Sequence, residues 1–272
     1  EPLLCWDTAA QVLDFGRATG RQIQASLQTN GTLLTPELCQ ELKARQVAVG
    51  VSLDGVAADN AARFFPGGSP SFPAAVQGLQ ALAEAGMVVN LTAVVTAVNV
   101  QNLDRLLEFA LWCGNIHGVG LDLVRPQGRG AGAELFPSPQ ALEEGMSRLL
   151  ARYDQLAGLG RPVRLKELER LRLLLRTGRR RDCYCNAQTG RSLAVTPDGC
   201  LWPCSALASV DGCLLGQSDA GAWPPQRPCP GLEPPEVCTR CPAFGLCGGG
   251  CPAARLAGFS QLDCQMHRKM LE

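Results

Sequence analysis

The sequence predicts an α/β chain: parallel strands joined by helical crossovers, then a small cysteine-rich domain with little regular structure. Three observations carry this. Short apolar runs alternate with longer amphipathic segments through roughly the first 130 residues. After Asp182 the composition turns to Cys, Gly and Pro with little periodicity. And of 14 cysteines, all but Cys5, Cys39 and Cys113 fall between Cys183 and Cys264.

The elements follow in order. Residues 21–27 read as a strand that stops at Gln28-Thr29-Asn30-Gly31. Thr35-Pro36-Glu37-Leu38 opens a helix, with Thr at the cap and Pro in the first turn. Residues 46–53 are a buried strand ending at Asp54-Gly55. Residues 71–85 are a helix stopped by Gly86, 87–95 a strand, 102–112 a helix, and 119–124 a strand ended by Pro126. Helices of roughly 10–15 residues between strands argue for parallel pairing. Polar residues recur after the strand ends: Thr29-Asn30, Ser52-Asp54, Thr96-Asn99, Arg125-Gln127. In a parallel α/β barrel those turns build the active site; each is also an ordinary turn former. Further helices are expected at 139–156 and at 161–177. The latter has Leu165, Leu168, Leu171 and Leu175 on one face and a basic opposite face running into Arg179-Arg180-Arg181. That face reads as a solvated linker or as a surface for an acidic substrate segment.

Lys+Arg and Asp+Glu both number 25, so bulk charge selects neither nucleic acid nor a membrane surface as partner. No apolar run approaches the roughly 18 residues of a membrane span. The chain opens Glu1-Pro2 without Met, and the expectation is that a segment precedes it.

The stretch CTRCPAFGLCGGGC, residues 238–251, spaces its cysteines C-x2-C-x5-C-x3-C. Close cysteine groups beside an ordinary α/β region point to metal rather than disulfides. Zinc and iron–sulfur clusters both use such pairs. A zinc ribbon would use two separated CxxC pairs; here Cys238 and Cys241 form one such pair, and Cys247 and Cys251 follow at wider spacing. Gly248, Gly249 and Gly250 let backbone N–H groups approach cluster sulfurs. Upstream, Cys183-Tyr184-Cys185 precedes a hairpin turned at Pro197-Asp198-Gly199, which would bring Cys185 and Cys204 together. Cys264 follows downstream. These are too many cysteines for one four-ligand site, so two clusters are more economical. Cys200, Cys213 and Cys229 read as small buried apolar residues.

Cys185-x13-Gly199-x4-Cys204, the run Cys238, Cys241, Cys247, Cys251, and the final Cys264 together resemble the SPASM domain, the two-cluster C-terminal extension of radical S-adenosylmethionine enzymes. Gln28 to Leu34 and Ser52-Leu53-Asp54-Gly55 look like the third- and fourth-strand signatures of the partial (β/α) barrel of that family. Glu1-Pro2 looks like the end of its Gly-Gly-Glu-Pro motif, and Leu123 to Gly130 resembles the end of its sixth strand. The resemblance implies a partial barrel over 1–130, a helical linker over 131–182 and a SPASM iron–sulfur domain over 183–272.

It also implies ligands. Cys238, Cys241, Cys247 and Cys264 would hold one auxiliary [4Fe–4S] cluster. Cys185, Cys204 and Cys251 would hold another, its fourth ligand being Cys183 or an iron site left open to substrate. Glu1 would meet the amino group of S-adenosylmethionine, and Asn30, Ser52 and Asp54 would share its site. A third cluster, on the family's Cys-x3-Cys-x2-Cys loop, belongs to the full-length parent; Cys5, Cys39 and Cys113 are too far apart to replace that loop, so this stretch alone is expected not to cleave S-adenosylmethionine. Sulfatase-maturing members carry an Asp just after the cysteine matching Cys204, where this chain has Ser205, a poor base at neutral pH. The expected activity is therefore modification of a ribosomally made peptide by a thioether or carbon–carbon crosslink, in a reducing cytoplasm, with a flavodoxin or ferredoxin as electron donor and no nucleic-acid or membrane partner. The alternatives are a non-catalytic iron–sulfur module that transfers electrons or binds peptides, a sulfatase-maturase-like enzyme, and a structural zinc domain.

Overall fold

The computed structural model describes residues 1–131, 133–208, 210–219, 231–258 and 260–272. The chain divides into two compact units, Glu1–Glu169 and Arg170–Glu272.

The first unit opens with a short 3-10 turn, Pro2–Cys5, and helix α1, Trp6–Ala18. The sequence pattern does not announce α1: only Ala10 and Leu13 of it are buried. There follow β1 (Ser26–Thr29), α2 (Pro36–Ala44), β2 (Ala48–Ser52), α3 (Phe72–Glu84), β3 (Val89–Val95), α4 (Leu103–Cys113), β4 (Ile116–Leu123), α5 (Pro139–Gly158) and β5 (Arg164–Leu165). The strands form one parallel sheet in the order β1-β2-β3-β4-β5. Local signals start and stop the helices. Thr35 caps α2 by accepting the Leu38 N–H, with Pro36 in the first turn. Ser138 and Pro139 do the same for α5. Gly114, at φ +74°, ends α4.

Register explains the layering. Parallel partners share a face, so Gln28, Gly50, Asn90, Gly118 and Arg164 form one row across the sheet. Ser52, Thr92 and Gly120 form the next row on that face. The opposite face carries Val49, Val51, Leu91, Ala93, Val95, Val119, Leu121, Leu123 and Leu165, all buried. The core of this unit joins that face with Leu79 and Leu82 of α3, Leu106 and Leu107 of α4, and Leu142, Met146 and Leu149 of α5. Full burial contributes about 1.5–3 kcal/mol per large aliphatic side chain. One sheet face is thus apolar and covered; the other is polar and lined with glycine.

Two expected elements differ. Residues 21–25 join no strand, because the pairing partner β2 begins at Ala48 opposite Ser26. And Arg164–Leu165 is a strand rather than the start of a helix: it pairs with Gly118 and Val119, which buries Leu165 fully. Helix α6 begins only at Lys166 and runs to Thr177, with no buried residue.

The second unit contains an antiparallel sheet of short strands, β6 (Ala194–Val195), β7 (Cys200–Trp202) and β8 (Gly216–Gln217). The hairpin between β6 and β7 turns at Pro197-Asp198-Gly199, with Gly199 at φ +80°. Short helices α7 (Glu236–Thr239), α8 (Phe244–Cys247), α9 (Pro252–Leu256) and α10 (Ser260–Lys269) follow. A small core of Ala187, Leu207, Cys213, Leu232, Cys251, Ala253 and Ala254 holds the unit.

Candidate functional site

At the carboxyl ends of the strands, the Glu1 carboxylate docks on the end of β1. Its Oε1 accepts the Thr29 hydroxyl at 2.7 Å and the Leu3 N–H at 3.2 Å; its Oε2 accepts the Asn30 N–H at 2.8 Å. Asn30 turns its own Oδ1 onto Thr32, accepting the N–H at 2.9 Å and the hydroxyl at 2.7 Å. Gly31 follows at φ +78°, a left-handed position where a Cβ would also lie 3.1 Å from Val51. On the next strand, Ser52 Oγ accepts Gln28 Nε2–H at 2.9 Å. Glu1, Asn30 and Ser52 therefore gather at the ends of β1 and β2.

Asp54 is used differently. It is 4% exposed. Arg63 grips it with two hydrogen bonds of 2.7 Å, and the Val94 N–H donates to it at 2.8 Å. Its N–H goes to Asn60 and its carbonyl accepts from Asn99. Asp54 braces the β2 turn against β3.

Sequence reading passed over Arg63, and over Asn90 and Thr92 on the polar sheet face. For the last two a signal existed. Val89-Asn90-Leu91-Thr92-Ala93 alternates strictly, whereas a strand buried on both faces reads as a continuous apolar run. No sequence signal points to Arg63, nine residues past its partner.

In the second unit the cysteines sort into two groups. Burial pushes the Cys238 thiol up; the Arg255 guanidinium opposes this, and Cys247 and Cys241 add to it. Burial likewise raises Cys264, followed by Cys247, with Arg268 opposing and Cys238 and Cys241 adding. Cys238, Cys241, Cys247 and Cys264 thus lie within one another's electrostatic reach. Cys204 is raised first by burial, lowered by the Ala206 and Leu207 N–H groups, and raised by Cys251 and Cys185. That is the second group. Cys183 is not among the thiols acting on Cys204; its carbonyl lies 2.4 Å from where a Gly248 Cβ would sit, and φ +75° at Gly248 is also left-handed. Among the remaining cysteines, Cys213 is a core residue and Cys200 accepts from Gln217 at 3.3 Å on the sheet of short strands. Cys229 lies outside the described residues.

Among the described residues, no three His, Cys, Asp or Glu side chains converge as ligands to a single metal ion. Within each group the thiols are near enough to feel one another's charge without closing on one point. A soft, all-sulfur donor set that is spread in this way suits an iron–sulfur cluster, which is wider than one ion.

No family model matches the chain. The mycofactocin maturase MftC of Mycolicibacterium smegmatis is 32% identical over 279 aligned residues, which cover 93% of this chain and 64% of that protein. The serine-type anaerobic sulfatase-maturating enzyme of Bacteroides thetaiotaomicron is 40% identical over 85 residues, 31% of this chain and 20% of that enzyme. The structure of anSMEcpe with bound AdoMet superposes with a TM-score of 0.79 at 18% identity, covering 99% of this chain and 79% of that one. The structural match shows that the parallel-sheet α/β fold is shared. This chain spans less than two thirds of the mycofactocin maturase, with 64% of its length covered. No helix among the described residues is long and apolar enough to cross a membrane.

Proposed function

We propose that this chain is the C-terminal part of a radical S-adenosylmethionine maturase that modifies a ribosomally made peptide or protein. In this reading Cys238, Cys241, Cys247 and Cys264 hold one auxiliary [4Fe–4S] cluster, and Cys185, Cys204 and Cys251 hold a second. The observation that carries it is the cysteine spacing, C-x2-C-x5-C-x3-C over residues 238–251 with Cys264 beyond, together with the packing of Cys185 and Cys204 against the core that holds Cys251. Maturase relatives support the general kind of activity.

When bound, S-adenosylmethionine and a reduced cluster supply hydrogen-abstracting radical chemistry, and the auxiliary clusters supply an electron acceptor. The residues of the chain do the rest. The Glu1 carboxylate, held against Thr29 and Asn30, presents an anion to the amino group of S-adenosylmethionine. Ser52, Gln28, Asn90 and Thr92 share the polar sheet face with Gly50, Gly118 and Gly120, over which Gln28, Arg164 and Lys166 lay their side chains. Asp54 holds the β2 turn rigid through Arg63. Ser205 follows Cys204, so peptide crosslinking is favoured over sulfatase maturation, because a hydroxyl is a poor base at neutral pH. A flavodoxin- or ferredoxin-type donor fits the expected chemistry.

Cys5, Cys39 and Cys113 lie on separate elements of the first unit. In this reading those three cysteines do not hold the radical-generating cluster, and residues 1–272 with S-adenosylmethionine and dithionite should release no 5′-deoxyadenosine. The reading is tested by iron, sulfide and zinc analysis after reconstitution without oxygen. About eight irons with equal sulfide support two clusters. About one zinc and no sulfide would replace the reading with a structural zinc domain.

A further inference from the structure

Arg255 lies on α9, one turn after Cys251. Its Nη1 donates to the Gly249 carbonyl at 2.7 Å and to the Gly250 carbonyl at 2.8 Å. Its Nη2 donates to the Leu232 carbonyl at 2.7 Å and the Glu233 carbonyl at 3.2 Å. All four of these acceptors are neutral main chain, so they fix the guanidinium without cancelling its charge. The Gly249 carbonyl is also the acceptor for the Cys238 thiol, at 4.0 Å. Arg255 and Cys238 thus meet on one peptide group.

Two more guanidinium groups approach the same thiols. Arg181 Nη1 donates to the Cys247 carbonyl at 3.4 Å. Arg268 stands one helical turn beyond Cys264 on α10 and acts on its thiol. The buried Asp263 carboxylate, which directly precedes Cys264, accepts the Cys251 N–H at 3.2 Å and so stands beside both sets.

We propose that Arg255 is a positioning residue for the Cys238, Cys241, Cys247 and Cys264 set, holding the Gly249–Gly250 main chain and raising the reduction potential of a cluster bound there. The inference rests on the cluster reading above. A thiolate-ligated cluster is anionic, and reduction adds a further electron. A fixed cation beside it favours the reduced form, and net charge is one of the known determinants of cluster potential.

The experiment is a potentiometric titration of the whole chain, reconstituted without oxygen, using dithionite and electron paramagnetic resonance. The signal of this set is the one that persists in Cys204→Ser and disappears in Cys241→Ser. Arg255→Gln should lower its midpoint, so that at the midpoint of the unaltered protein the reduced-to-oxidised ratio falls several-fold. Arg255→Lys should restore most of the shift. Arg268→Gln, at an exposed site, should move the midpoint the same way by less. Full iron and sulfide in Arg255→Gln with an unmoved midpoint would overturn the proposal. So would equal shifts in the Gln and Lys variants, which would make Arg255 purely structural. Should neither Arg255 variant assemble clusters, an unmoved midpoint in Arg268→Gln overturns the charge argument. Failure of the unaltered chain to hold iron and sulfide would instead overturn the cluster reading, and the role of Arg255 with it.

Discussion

At the scale of single residues, the Asp54–Arg63 pair shows what the sequence conceals. Asp54 sits in a turn motif that reads as a ligand contact, yet two Arg63 hydrogen bonds and one peptide N–H occupy its carboxylate. Removing Arg63 leaves a nearly buried anion with only the Val94 donor to compensate it. Arg63→Met should therefore cost about 2–3 kcal/mol, below the roughly 3–5 kcal/mol of a fully buried pair because Arg63 keeps some solvent contact. A fall in the urea midpoint with unchanged slope measures it. The cysteines of the first unit make a second case. Burial pushes the Cys39 and Cys113 thiols from 9.0 to about 11. Two pH units leave roughly 100-fold less thiolate than an ordinary thiol at neutral pH. Mass-mapped iodoacetamide labelling at pH 8 should find exposed Cys5 modified well before either. The linkage sign follows. A raised thiol pKa stabilises the protonated, folded form, so this stability is complete below about pH 9 and is lost as pH rises through about 11. Little of this was legible beforehand: the sequence names Asp54 and Cys113 but not what surrounds them.

At the scale of elements more was legible, because caps and periodicity are local. Thr35-Pro36 and Gly86 mark helix ends that the structure keeps. What failed is what depends on a distant partner. Leu165 has a helical position in the sequence and a strand position in the fold, since pairing with β4 buries it. The strict alternation of β3 did carry the polar face, but only the sheet register shows that Asn90 and Thr92 line up with Gly50, Gly118 and Gly120. Gly78 gives the element-scale prediction. A Cβ there would lie 2.0 Å from the Gly31 carbonyl, so α3 rests directly on the turn after β1. Ala gains about 1 kcal/mol of helix propensity over Gly. It also overpacks against rigid main chain, which costs typically 1–3 kcal/mol. Gly78→Ala should thus lower the melting temperature despite its better propensity, and shift amide signals at Gly31. A rise in melting temperature with unmoved signals would show that α3 can retreat freely.

At the scale of the molecule, the second unit carries many cysteines on short elements. Its apolar core is a handful of residues around Leu207 and Leu232, and its strands are two or three residues long. So small a core supplies little stability alone, and small domains of this kind rely on disulfides or metal. No disulfide joins the described cysteines. Cluster binding should therefore be coupled to folding of residues 170–272, and the two thiol groups should fail separately. Cys241→Ser touches only the set with Cys238, Cys247 and Cys264, while Cys204→Ser touches only the set with Cys185 and Cys251. Each variant should retain about half the iron and sulfide of the unaltered chain. Each should also expose the second unit to limited proteolysis, with the α/β unit left intact, because bound cluster free energy is part of folding free energy. Loss of all iron in either variant would mean that the thiols form one linked site. Retention of all iron in both would mean that neither cysteine is a ligand.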